Sequence, residues 1–487
     1  MSSEILPPDA AYAALQARDA RFDGQLYVGV TSTGIYCRPV CRVRLPRREN
    51  CRFFSTAAQA EAERFRPCMK CRPELAPRPL PWTTTDASRT LAAQAAAWLD
   101  ACDDAEASVE QLAAHLGITS RHLRRIFQAE HGVSPLQYLQ TRRLLLAKAL
   151  LTDSTLPVQE VAYAAGFAGL RRFNAAFVEH YRLQPTALRR VGREGRGAGP
   201  APRLRLAYRE PYDVAGVLAF LAPRAVAGVE AVDDAGVTRT LALTHAGRRH
   251  AGWLRVSFDK AREVGVELSP ALWPAAGTLL PLLRGWLDLD ADPQAIAAAL
   301  ANLQDGSAVP GQRLPGCLDR FELAVRAVLG QQVTVAAART LAGRFVERFG
   351  EPLADAPPGC DRLFPTPERI AAATRDDIAS LGIIGRRADS LVALAQAWPA
   401  LAFARREGTP EAAADELTQI PGIGPWTAGY MLMRGWSWPD SFPPGDVVLR
   451  KALSRDGPLL PPKAYLAAAE RFRPFRSYAV LHLWRHA

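Results

Sequence analysis

The sequence has no apolar run of about 18 residues, and no apolar segment of the secretory type lies near its N-terminus. Both absences argue against a membrane span and against secretion, so we expect a cytoplasmic protein without a membrane partner. Cysteine is also scarce, with eight in 487 residues. So few cysteines do not build a disulfide scaffold, and in a reducing compartment those that cluster favour metal binding.

Four of the cysteines form two closely spaced pairs. Three residues separate Cys37 from Cys41, two separate Cys68 from Cys71, and 26 lie between the pairs. This spacing lets each pair supply two neighbouring ligands to a tetrahedral site, so the sequence predicts one Zn²⁺ ion held by four thiolates. Cys51 lies outside the pattern, and we expect it to be a small buried residue.

The residues around the first pair are strongly basic. The chain has a formal net charge of +11, and residues 1–80 hold 13 basic against 8 acidic side chains. A cationic surface suits a phosphate backbone, but the same composition is common on surfaces that only face solvent. Charge alone therefore leaves DNA binding and solubility as equal alternatives. The arginines that we expect to face DNA here are Arg38, Arg42 and Arg44.

Two stretches without apolar periodicity divide the chain. Residues 189–203, RRVGREGRGAGPAPR, predict a flexible linker, and residues 76–81, APRPLP, predict a shorter break. The sequence thus predicts a multidomain α+β protein. Its domains are a small zinc-binding α/β domain (1–80), an all-α double helix-turn-helix domain (85–190), a linker (191–202), an α/β subdomain (203–312) and an all-α domain (313–487).

Within the last two domains the periodicity changes. Residues 204–208, 238–244 and 253–258 have the character of strands. From Leu314 onward the pattern is almost purely helical.

Two segments of the middle domain have the pattern of a helix-turn-helix. In SVEQLAAHLGITSRHLRRIF, Ser108 is placed to cap a first helix, Gly117 ends it, and a second helix begins near Thr119. The pattern repeats in LPVQEVAYAAGFAGLRRFNAAF, with Pro157 at a helix start and Gly166 at the turn. Either copy alone is also compatible with an ordinary helical bundle whose arginines face solvent.

Together with the connecting HGVSPLQYLQTRRLLLAKALL, these copies resemble the DNA-binding domain of the AraC family over residues 87–190. The match includes the GxSPxxYL element at residues 132–139. The resemblance implies that the second helix of each unit enters a successive major groove of double-stranded DNA. The side chains expected to project from these helices are Arg121, Arg124, Arg171 and Asn174.

The cysteine segment carries a second resemblance. GVTSTGIYCRPVCRVR together with FRPCMKCRPE is similar to the N-terminal domain of the Ada family. That resemblance implies that Cys37 accepts a methyl group from a DNA methylphosphotriester in a stoichiometric reaction, with Cys41, Cys68 and Cys71 as the remaining ligands. A purely structural zinc site is the alternative.

Methylation would also change the charge of the cluster. Four thiolates on zinc carry a net charge of minus two, and one thioether leaves minus one. Repulsion from DNA then falls, by at most roughly 4 kcal/mol for a unit charge about 4 Å from a phosphate at a dielectric of about 20. We expect methylation of Cys37 to tighten DNA binding and to switch on transcription, with RNA polymerase as a partner and the protein acting as a monomer.

The C-terminal half contains another DNA-binding pattern. Residues 420–428, IPGIGPWTA, have the form of a helix-hairpin-helix, whose glycines let backbone amides approach a phosphate. We expect Gly422, Gly424 and Thr427 to contact DNA, although such a hairpin alone marks only non-specific binding. Asp446, in SFPPGDVVLRK, follows Ala428 by 18 residues. A hairpin with an aspartate at this spacing resembles the helix-hairpin-helix DNA glycosylases.

Residues 203–484 resemble the AlkA type of 3-methyladenine DNA glycosylase, including PYDVAGVLAFLAPRAVAGVE, LPGCLDRFELAVRAVLGQQVTVAAA and RPFRSYAVLHLW. The resemblance implies excision of alkylated bases such as 3-methyladenine by hydrolysis of the N-glycosidic bond. Asp446 would stabilise the oxocarbenium-like sugar, while Trp426, Tyr430 and Trp484 would line the pocket for the extruded base. Gln332 stands where the prototype carries a leucine wedge, so we expect it to contact DNA.

Three residue patterns of related proteins are absent from this sequence, and each absence excludes an activity or a cofactor. Trp426 occupies the position at which lyase-type relatives carry a Schiff-base lysine, which implies a monofunctional glycosylase that leaves an abasic site without strand cleavage. No cysteine follows Cys360, which excludes the iron-sulfur loop of some relatives. No Pro-Cys-His-Arg-Val motif occurs, so we expect no second methyltransferase acting on 6-O-methylguanine. The alternative function is a zinc-stabilised transcription regulator whose glycosylase-like half only binds DNA.

Overall fold

The computed structural model describes residues 6–78, 87–101, 108–194, 202–301, 303, 309–454 and 458–486. The chain divides into two compact units. The first comprises Met1–Glu210, Leu243–His250 and Phe258–Pro281, and the second comprises Pro211–Ala242, Ala251–Ser257 and Leu282–Ala487. The predicted multidomain α+β class is confirmed. No helix in the described ranges is both long enough and apolar enough to cross a bilayer.

A small mixed sheet forms the beginning of the first unit. Its elements are α1 (Pro8–Gln16), β1 (Tyr27–Val30), β2 (Ile35–Cys37), β3 (Cys51–Phe54), α2 (Ala57–Ala62) and β4 (Arg66–Pro67). The strands pair in the order β3-β1-β2-β4, and β2 runs parallel to β4. The register pairs Tyr36 with Pro67, and a cysteine follows each of them. The parallel pairing therefore brings Cys37 and Cys68 side by side.

Helices make up the rest of the middle region of this unit. They are α3 (Ala87–Ala101), α4 (Val109–His115), α5 (Ser120–His131), α6 (Pro135–Asp153), α7 (Val158–Ala164), α8 (Leu170–Tyr181) and α9 (Pro185–Glu194). The predicted helix starts are confirmed: Ser108 and Gln111 form a capping box, and the Thr119 hydroxyl accepts a hydrogen bond from the backbone of His122. Gly117 and Gly166 take left-handed φ values of +67° and +82° at the two turns.

Part of the predicted linker is helical. Helix α9 runs to Glu194, so residues 191–194 continue a helix and are not a linker. The glycine in this segment does not prevent this, because one glycine costs a helix only about 1 kcal/mol relative to alanine. Residues 195–201 of the predicted linker and residues 79–81 of the predicted break lie outside the described residues.

A five-stranded sheet with flanking helices follows. Its region contains β5 (Arg203–Ala207), α10 (Val214–Leu221), β6 (Glu230–Asp233), β7 (Gly236–His245), β8 (Arg248–Lys260), β9 (Glu263–Leu268), α11 (Ala276–Trp286) and α12 (Pro293–Leu300). The strands pair in the order β5-β9-β8-β7-β6. The three predicted strand segments coincide with β5, β7 and β8, which confirms them.

From residue 320 the described chain is helical apart from two strands of two residues each, as predicted. The elements are α13 (Arg320–Leu329), α14 (Val335–Phe349), β10 (Glu351–Pro352), β11 (Arg362–Leu363), α15 (Pro367–Ala371), α16 (Arg375–Ala379), α17 (Gly385–Ala397), α18 (Ala402–Arg405), α19 (Pro410–Thr418), α20 (Pro425–Gly435), α21 (Val447–Ser454), α22 (Pro462–Ala469) and α23 (Arg476–Arg485). An apolar core that includes Phe321, Phe345 and Leu391 holds α13, α14 and α17 behind the hairpin between α19 and α20.

Candidate functional site

The four predicted ligand cysteines meet at one point. Their Sγ atoms all lie within 4.8 Å of one another, and three of the four residues are buried. Tetrahedral zinc with Zn–S bonds of about 2.3 Å places its sulfurs roughly 3.8 Å apart, so the donor set and the spacing fit a zinc ion. The residues that would hold the ion are Cys37, Cys41, Cys68 and Cys71.

Backbone hydrogen bonds turn two of the sulfurs toward this point. The N–H of Arg38 donates to Cys71 Sγ (3.3 Å), and the N–H of Lys70 donates to Cys68 Sγ (3.4 Å). Contacts among the sulfurs raise the pKa of Cys37, chiefly through Cys41, and lower the pKa of Cys68, chiefly through Cys37. The ionisation of each thiol therefore depends on its neighbours, and a shared cation would allow all four to be thiolates.

Arg38 does not lie on the predicted DNA-facing surface. Its side chain is buried, its guanidinium is paired with both carboxylate oxygens of Asp23, and its Nη1 donates to the backbone oxygen of Cys71 (3.1 Å). The structure thus neutralises the charge of Arg38 inside the domain, which gives no support to the predicted DNA contact. Its guanidinium instead ties the segment after Cys37 to the segment that contains Cys71.

Arg42 and Arg44 remain on the surface. Both are exposed, and within the described ranges neither side chain has an ion-pair or hydrogen-bond partner. Their charges are therefore available to an external anion, and their contact with DNA stays a prediction.

An apolar cavity of about 60 Å³ opens beside the cluster. Cys37 and Cys41 line it, whereas Cys68 and Cys71 do not. Its other lining residues are Leu15, Gln16, Arg18, Val28, Val30, Val43, Leu45 and Pro46. The cavity thus gives a small apolar group a path to the first cysteine pair.

The predicted DNA-facing side chains of the two helix-turn-helix units lie on the second helix of each unit. Arg121 and Arg124 on α5 and Arg171 on α8 are exposed, and Asn174 is half-buried. Arg124 is paired with Glu110 on α4 at 2.9 Å. To contact DNA, this arginine would have to leave Glu110 or contact Glu110 and a phosphate at the same time. Contact of these four side chains with DNA stays a prediction.

The hairpin joins α19 to α20 where the sequence predicts it. Gly422 has a φ of +84°, and a Cβ there would also collide with Ser390 Oγ, so only glycine fits. Gly424 is exposed at the N-cap of α20, and no atom lies within 4 Å of where its Cβ would be. An open glycine ahead of a helix N-terminus lets a phosphate approach the backbone amides.

Thr427 is predicted to contact DNA, but it is 3% exposed. Its hydroxyl accepts a hydrogen bond from Gln331 Nε2 (3.1 Å), which also donates to the backbone oxygen of Gly422 (2.9 Å). This side chain fastens the turn after α13 to the hairpin, and contact of Thr427 with DNA stays a prediction. Gln332, the next residue of that turn, is exposed with a left-handed φ of +53°.

Asp446 is held in one orientation immediately before α21. It is 7% exposed, and its Oδ1 accepts a hydrogen bond from the backbone N–H of Leu449 (2.8 Å), as a helix N-cap does. Its Oδ2 accepts a hydrogen bond from Trp426 Nε1 (2.8 Å). The carboxylate is therefore tied both to a helix N-terminus and to the first predicted pocket residue.

The three predicted pocket aromatics lie together. Trp426 and Tyr430 stack with ring centroids 5.6 Å apart and planes 4° from parallel, and Tyr430 and Trp484 are 6.2 Å apart at 44°. Because Trp426 and Tyr430 cover each other, a base would stack on an outer face of this pair and not between the two rings.

Arginines surround Tyr430, and the sequence analysis missed them. Arg434 Nη1 donates to the Tyr430 hydroxyl (2.9 Å), and the guanidiniums of Arg434 and Arg224 lie 4.9 and 3.9 Å from the ring centroid of Phe220. Burial alone would raise the pKa of Tyr430, but Arg434 and Arg224 outweigh burial and lower it. A cavity of about 190 Å³ is lined by Phe220, Arg224 and Trp484 among others, but Trp426, Tyr430 and Asp446 are not part of its lining.

Only one of these missed residues left a signal in the sequence. Arg434 follows Tyr430 by four residues on α20, the spacing at which helix side chains meet. Phe220 and Arg224 come from the distant segment that begins with α10, and nothing in their local pattern relates them to Tyr430.

Four family models match the chain in order. They are the metal binding domain of Ada (residues 10–74), a helix-turn-helix domain (112–191), the AlkA N-terminal domain (203–319) and the HhH-GPD superfamily of base excision DNA repair proteins (325–475).

Individual relatives cover the chain to different extents. A Mycobacterium tuberculosis protein described as a probable bifunctional transcriptional activator/DNA repair enzyme AlkA is 38% identical over 98% of this chain and 96% of its own length. The Escherichia coli DNA-3-methyladenine glycosylase 2 is 40% identical over 57% of this chain and 95% of its own. A solved 3-methyladenine DNA-glycosylase from Archaeoglobus fulgidus shares the fold, with a TM-score of 0.50 and 23% identity over 58% of this chain and 97% of its own. The chain therefore belongs to the family of bifunctional transcriptional activators and DNA repair enzymes in which an Ada-type metal-binding domain precedes an AlkA-type glycosylase.

Proposed function

We propose that the C-terminal half excises alkylated bases such as 3-methyladenine from double-stranded DNA. The observation that carries this proposal is the fixed carboxylate of Asp446 beside the stacked rings of Trp426 and Tyr430. An N-alkylated purine is cationic and departs with the electrons of the glycosidic bond, which leaves positive charge on the sugar. Asp446 stabilises that charge and orients the water that adds to the anomeric carbon.

The reaction ends at an abasic site. The hairpin carries no amine that could form a Schiff base, because Trp426 occupies the position at which a lyase would need a lysine. The glycosylase is therefore monofunctional, since hydrolysis by water leaves the DNA strand intact.

The test is base release from an alkylated duplex in single turnover by wild type, Asp446→Asn and Asp440→Asn. Asp440 is a matched control, because it is 9% exposed against 7% for Asp446 but is paired with Arg473 and Arg476 outside the aromatic group. We expect Asp446→Asn to lose roughly 10²–10³-fold in rate and Asp440→Asn to retain the wild-type rate. Equal release by all three proteins would remove Asp446 from the mechanism. No release by wild type would favour a regulator whose glycosylase-like half only binds DNA.

We further propose that Cys37 accepts a methyl group from a DNA methylphosphotriester. The apolar cavity supports this, because it reaches Cys37 and Cys41 and its size suits a methyl group. Cys37 Sγ attacks the methyl carbon, the C–O bond breaks, and its electron pair stays on the phosphate as a diester anion. A bound zinc ion would keep the four sulfurs deprotonated at neutral pH. The resulting thioether is stable, so each protein molecule reacts once.

Methylation by a triester oligonucleotide can be located by mass spectrometry of peptides. We expect the added methyl on Cys37 in wild type and in the control variant Cys51→Ser, because Cys51 lies outside the cluster. Cys37→Ser should acquire no methyl and should abolish the response of a reporter gene to methylating agents. A methyl found on another cysteine, or a normal reporter response in Cys37→Ser, would contradict the assignment. Metal analysis of the same protein should give one zinc per chain.

The two helix-turn-helix units then convert methylation into transcription. The exposed Arg121 and Arg171 supply phosphate or base contacts at a promoter, and reduced negative charge at the cluster tightens binding. The protein acts as a monomer and recruits RNA polymerase. Promoter binding before and after methylation, together with sedimentation of the free protein, tests this sequence of events.

A further inference from the structure

The cavity beside the thiol cluster has one cationic side chain in its lining. Six of its ten lining residues are apolar side chains without charge or hydrogen-bonding groups, namely Leu15, Val28, Val30, Val43, Leu45 and Pro46. Gln16 and Arg18 supply the polar side chains, apart from the two cysteines. A small alkyl group that enters the cavity therefore has six apolar residues, two cysteines, Gln16 and one arginine as neighbours.

Arg18 occupies a backbone position at which glycine is the usual residue. It follows the C-terminus of α1 with a left-handed φ of +50°, and its N–H donates to the backbone oxygen of Leu15 (3.1 Å). The side chain is exposed, and within the described part of the chain it has no ion-pair or hydrogen-bond partner. Arg38, although adjacent to Cys37 in sequence, is neutralised by Asp23. Arg18 is thus the unneutralised guanidinium of the cavity lining.

We propose that Arg18 binds the phosphate of the methylphosphotriester and stabilises the charge that appears there during transfer. This inference rests on the proposed methyl transfer to Cys37. The triester is neutral at the reacting phosphate, and a full negative charge develops on that phosphate as the C–O bond breaks. A guanidinium at this point interacts more strongly with the transition state than with the bound substrate, so it accelerates transfer more than it strengthens binding.

Arg64 provides a matched control for Arg18. It is also exposed, has a left-handed φ of +66° and belongs to the same small domain, but it does not line the cavity. Arg18→Gln and Arg64→Gln therefore remove the same charge from the same kind of backbone position. Two methyl donors are compared: a duplex with a single methylphosphotriester, and methyl iodide, whose leaving group carries no phosphate.

We expect Arg18→Gln to slow transfer from the triester by about 10-fold, below the 10²–10³ of a fully buried oxyanion donor, with little change in DNA affinity. Arg64→Gln should react at the wild-type rate, and methyl iodide should methylate all three proteins equally. An unchanged triester rate in Arg18→Gln would overturn the proposal, and so would equal slowing with both donors, because that effect would arise from the thiolates or the fold. No transfer from the triester to wild type would instead contradict the proposed function.

A second inference comes from a buried charge network between the cysteine domain and α6. Arg72, which directly follows Cys71, donates to both oxygens of Asp153 (2.9 and 2.7 Å) and to Glu74 (2.8 Å). Lys148 Nζ donates to Glu74 Oε2 (2.6 Å). Each of these four side chains is at most 6% exposed. Two cations and two anions therefore form a buried network with balanced charges inside the first unit.

A second buried contact starts beside the other cysteine pair. Tyr36, which precedes Cys37, donates its hydroxyl to Glu61 Oε1 (3.0 Å), and Thr141 of α6 and Tyr181 of α8 lie next to the same carboxyl. Residues flanking Cys71 and Cys37 are thus joined through buried polar groups to the helix that connects the two helix-turn-helix units. Buried polar networks of this kind hold their partners in one arrangement, because each broken contact leaves an unpaired group.

We infer that this network couples the cysteine cluster to the DNA-reading helices, so that both act as one body. This inference also rests on the proposed function. The variants Asp153→Asn and Lys148→Gln each weaken one contact of the network. The control is Glu63→Gln, which breaks the exposed pair with Arg52 on the same domain. The readout is the ratio of promoter affinities measured before and after methylation of Cys37 with methyl iodide.

We expect this ratio to fall by at least about 3-fold in Asp153→Asn and Lys148→Gln and to remain unchanged in Glu63→Gln. Methylation itself should proceed normally in all of them. Lys148→Gln leaves the pair of Arg72 with Asp153 in place, so it keeps the test informative if Asp153→Asn fails to fold. A wild-type ratio in folded Asp153→Asn or in folded Lys148→Gln would overturn the inference. A ratio near one in wild type would contradict the proposed switch instead.

Discussion

The thiol cluster comes from one short segment of the chain, whereas the aromatic pocket collects residues from segments that lie far apart in the sequence. All four sulfurs come from residues 37–71, and one parallel strand pairing brings Cys37 beside Cys68. The pocket takes Trp426 and Tyr430 from α20, Asp446 from the turn before α21, and further groups from α10 and α23. A site made from one local segment is visible in residue spacing, whereas a site gathered from distant helices depends on how those helices pack.

The two sites also differ in whether the reactive group is consumed by the proposed reaction. In the proposed reactions Cys37 ends as a thioether, while Asp446 returns unchanged after each base is released. Cys37 is buried, so the methyl donor must reach it through the cavity that Cys37 and Cys41 line. The pocket needs a carboxylate whose orientation persists. Trp426 and the backbone of Leu449 provide that persistence for Asp446.

The largest effects are expected when a variant of each site is tested for both activities. We expect Cys37→Ser to abolish methyl transfer but leave base release unchanged, and Asp446→Asn to lower base release roughly 10²–10³-fold while methyl transfer stays normal. Both activities are measured on one preparation, with methylphosphotriester and alkylated-base duplexes offered separately. Loss of both activities in either variant would show that the two sites do not act independently.

The buried carboxyl of Glu61 should make the first unit sensitive to pH. Burial, partly offset by Tyr36, Thr141, Lys148 and Tyr181, raises the pKa of Glu61 to about 8 from the ordinary 4.5. Between these two values the folded state keeps a proton that the unfolded chain releases. The contribution of Glu61 to the free energy of unfolding is therefore complete below about pH 4.5 and is lost as the pH rises through 8. Since one pKa unit corresponds to about 1.4 kcal/mol, the rise from 4.5 to about 8 predicts a loss of at most about 5 kcal/mol over this range.

The measurement compares urea unfolding of wild type and Glu61→Gln between pH 5 and 9, with the exposed Glu63→Gln as the control. The difference in unfolding free energy between wild type and Glu61→Gln should change steadily with pH, and Glu63→Gln should track wild type. A difference independent of pH would show that Glu61 is ionised throughout.

The hydrogen bond between Trp426 and Asp446 offers a smaller test of the pocket. Trp426→Phe keeps an aromatic face but removes the Nε1 donor, so we expect base release to slow by about 10-fold, since a hydrogen bond to a charged group is worth about 1.5–3 kcal/mol. Trp436→Phe is the control, because its Nε1 donates to the backbone oxygen of Phe403 away from Asp446. Equal slowing in both variants would assign the effect to helix α20 as a whole.

The smallest expected effects concern the exposed arginines of the cysteine domain. We expect Arg42→Gln and Arg44→Gln each to weaken DNA binding only a few-fold and to reduce the slope of log affinity against log salt by about one, as for one phosphate contact. Arg38→Gln should leave that slope unchanged, because Arg38 is buried against Asp23. A reduced slope for Arg38→Gln would show that Arg38 contacts a phosphate when the protein binds DNA.

Several features of the fold could be predicted from local patterns. Ser108 and Thr119 cap helices, Gly117 and Gly166 form the turns, and the hairpin requires Gly422, because each of these depends on interactions within a few residues. The end of α9 could not be predicted, since helix ends respond to small differences in free energy. The burial of Arg38 and Thr427 could not be predicted for another reason. An exposed polar side chain and a buried, paired one can have the same local sequence, and only the contacts with Asp23 and Gln331 distinguish them.

The sequence by itself determined the cysteine ligands, the two helix-turn-helix units, the hairpin and Asp446, because each is a short pattern whose chemistry follows from residue type and spacing. Only the tertiary structure decided which groups are reachable and which are paired. It placed Cys37 and Cys41 on a cavity with Arg18, joined Arg72 to Asp153 across the first unit, and stacked Trp426 on Tyr430 among arginines. These relations link residues far apart in the chain, and burial and pairing depend on that packing.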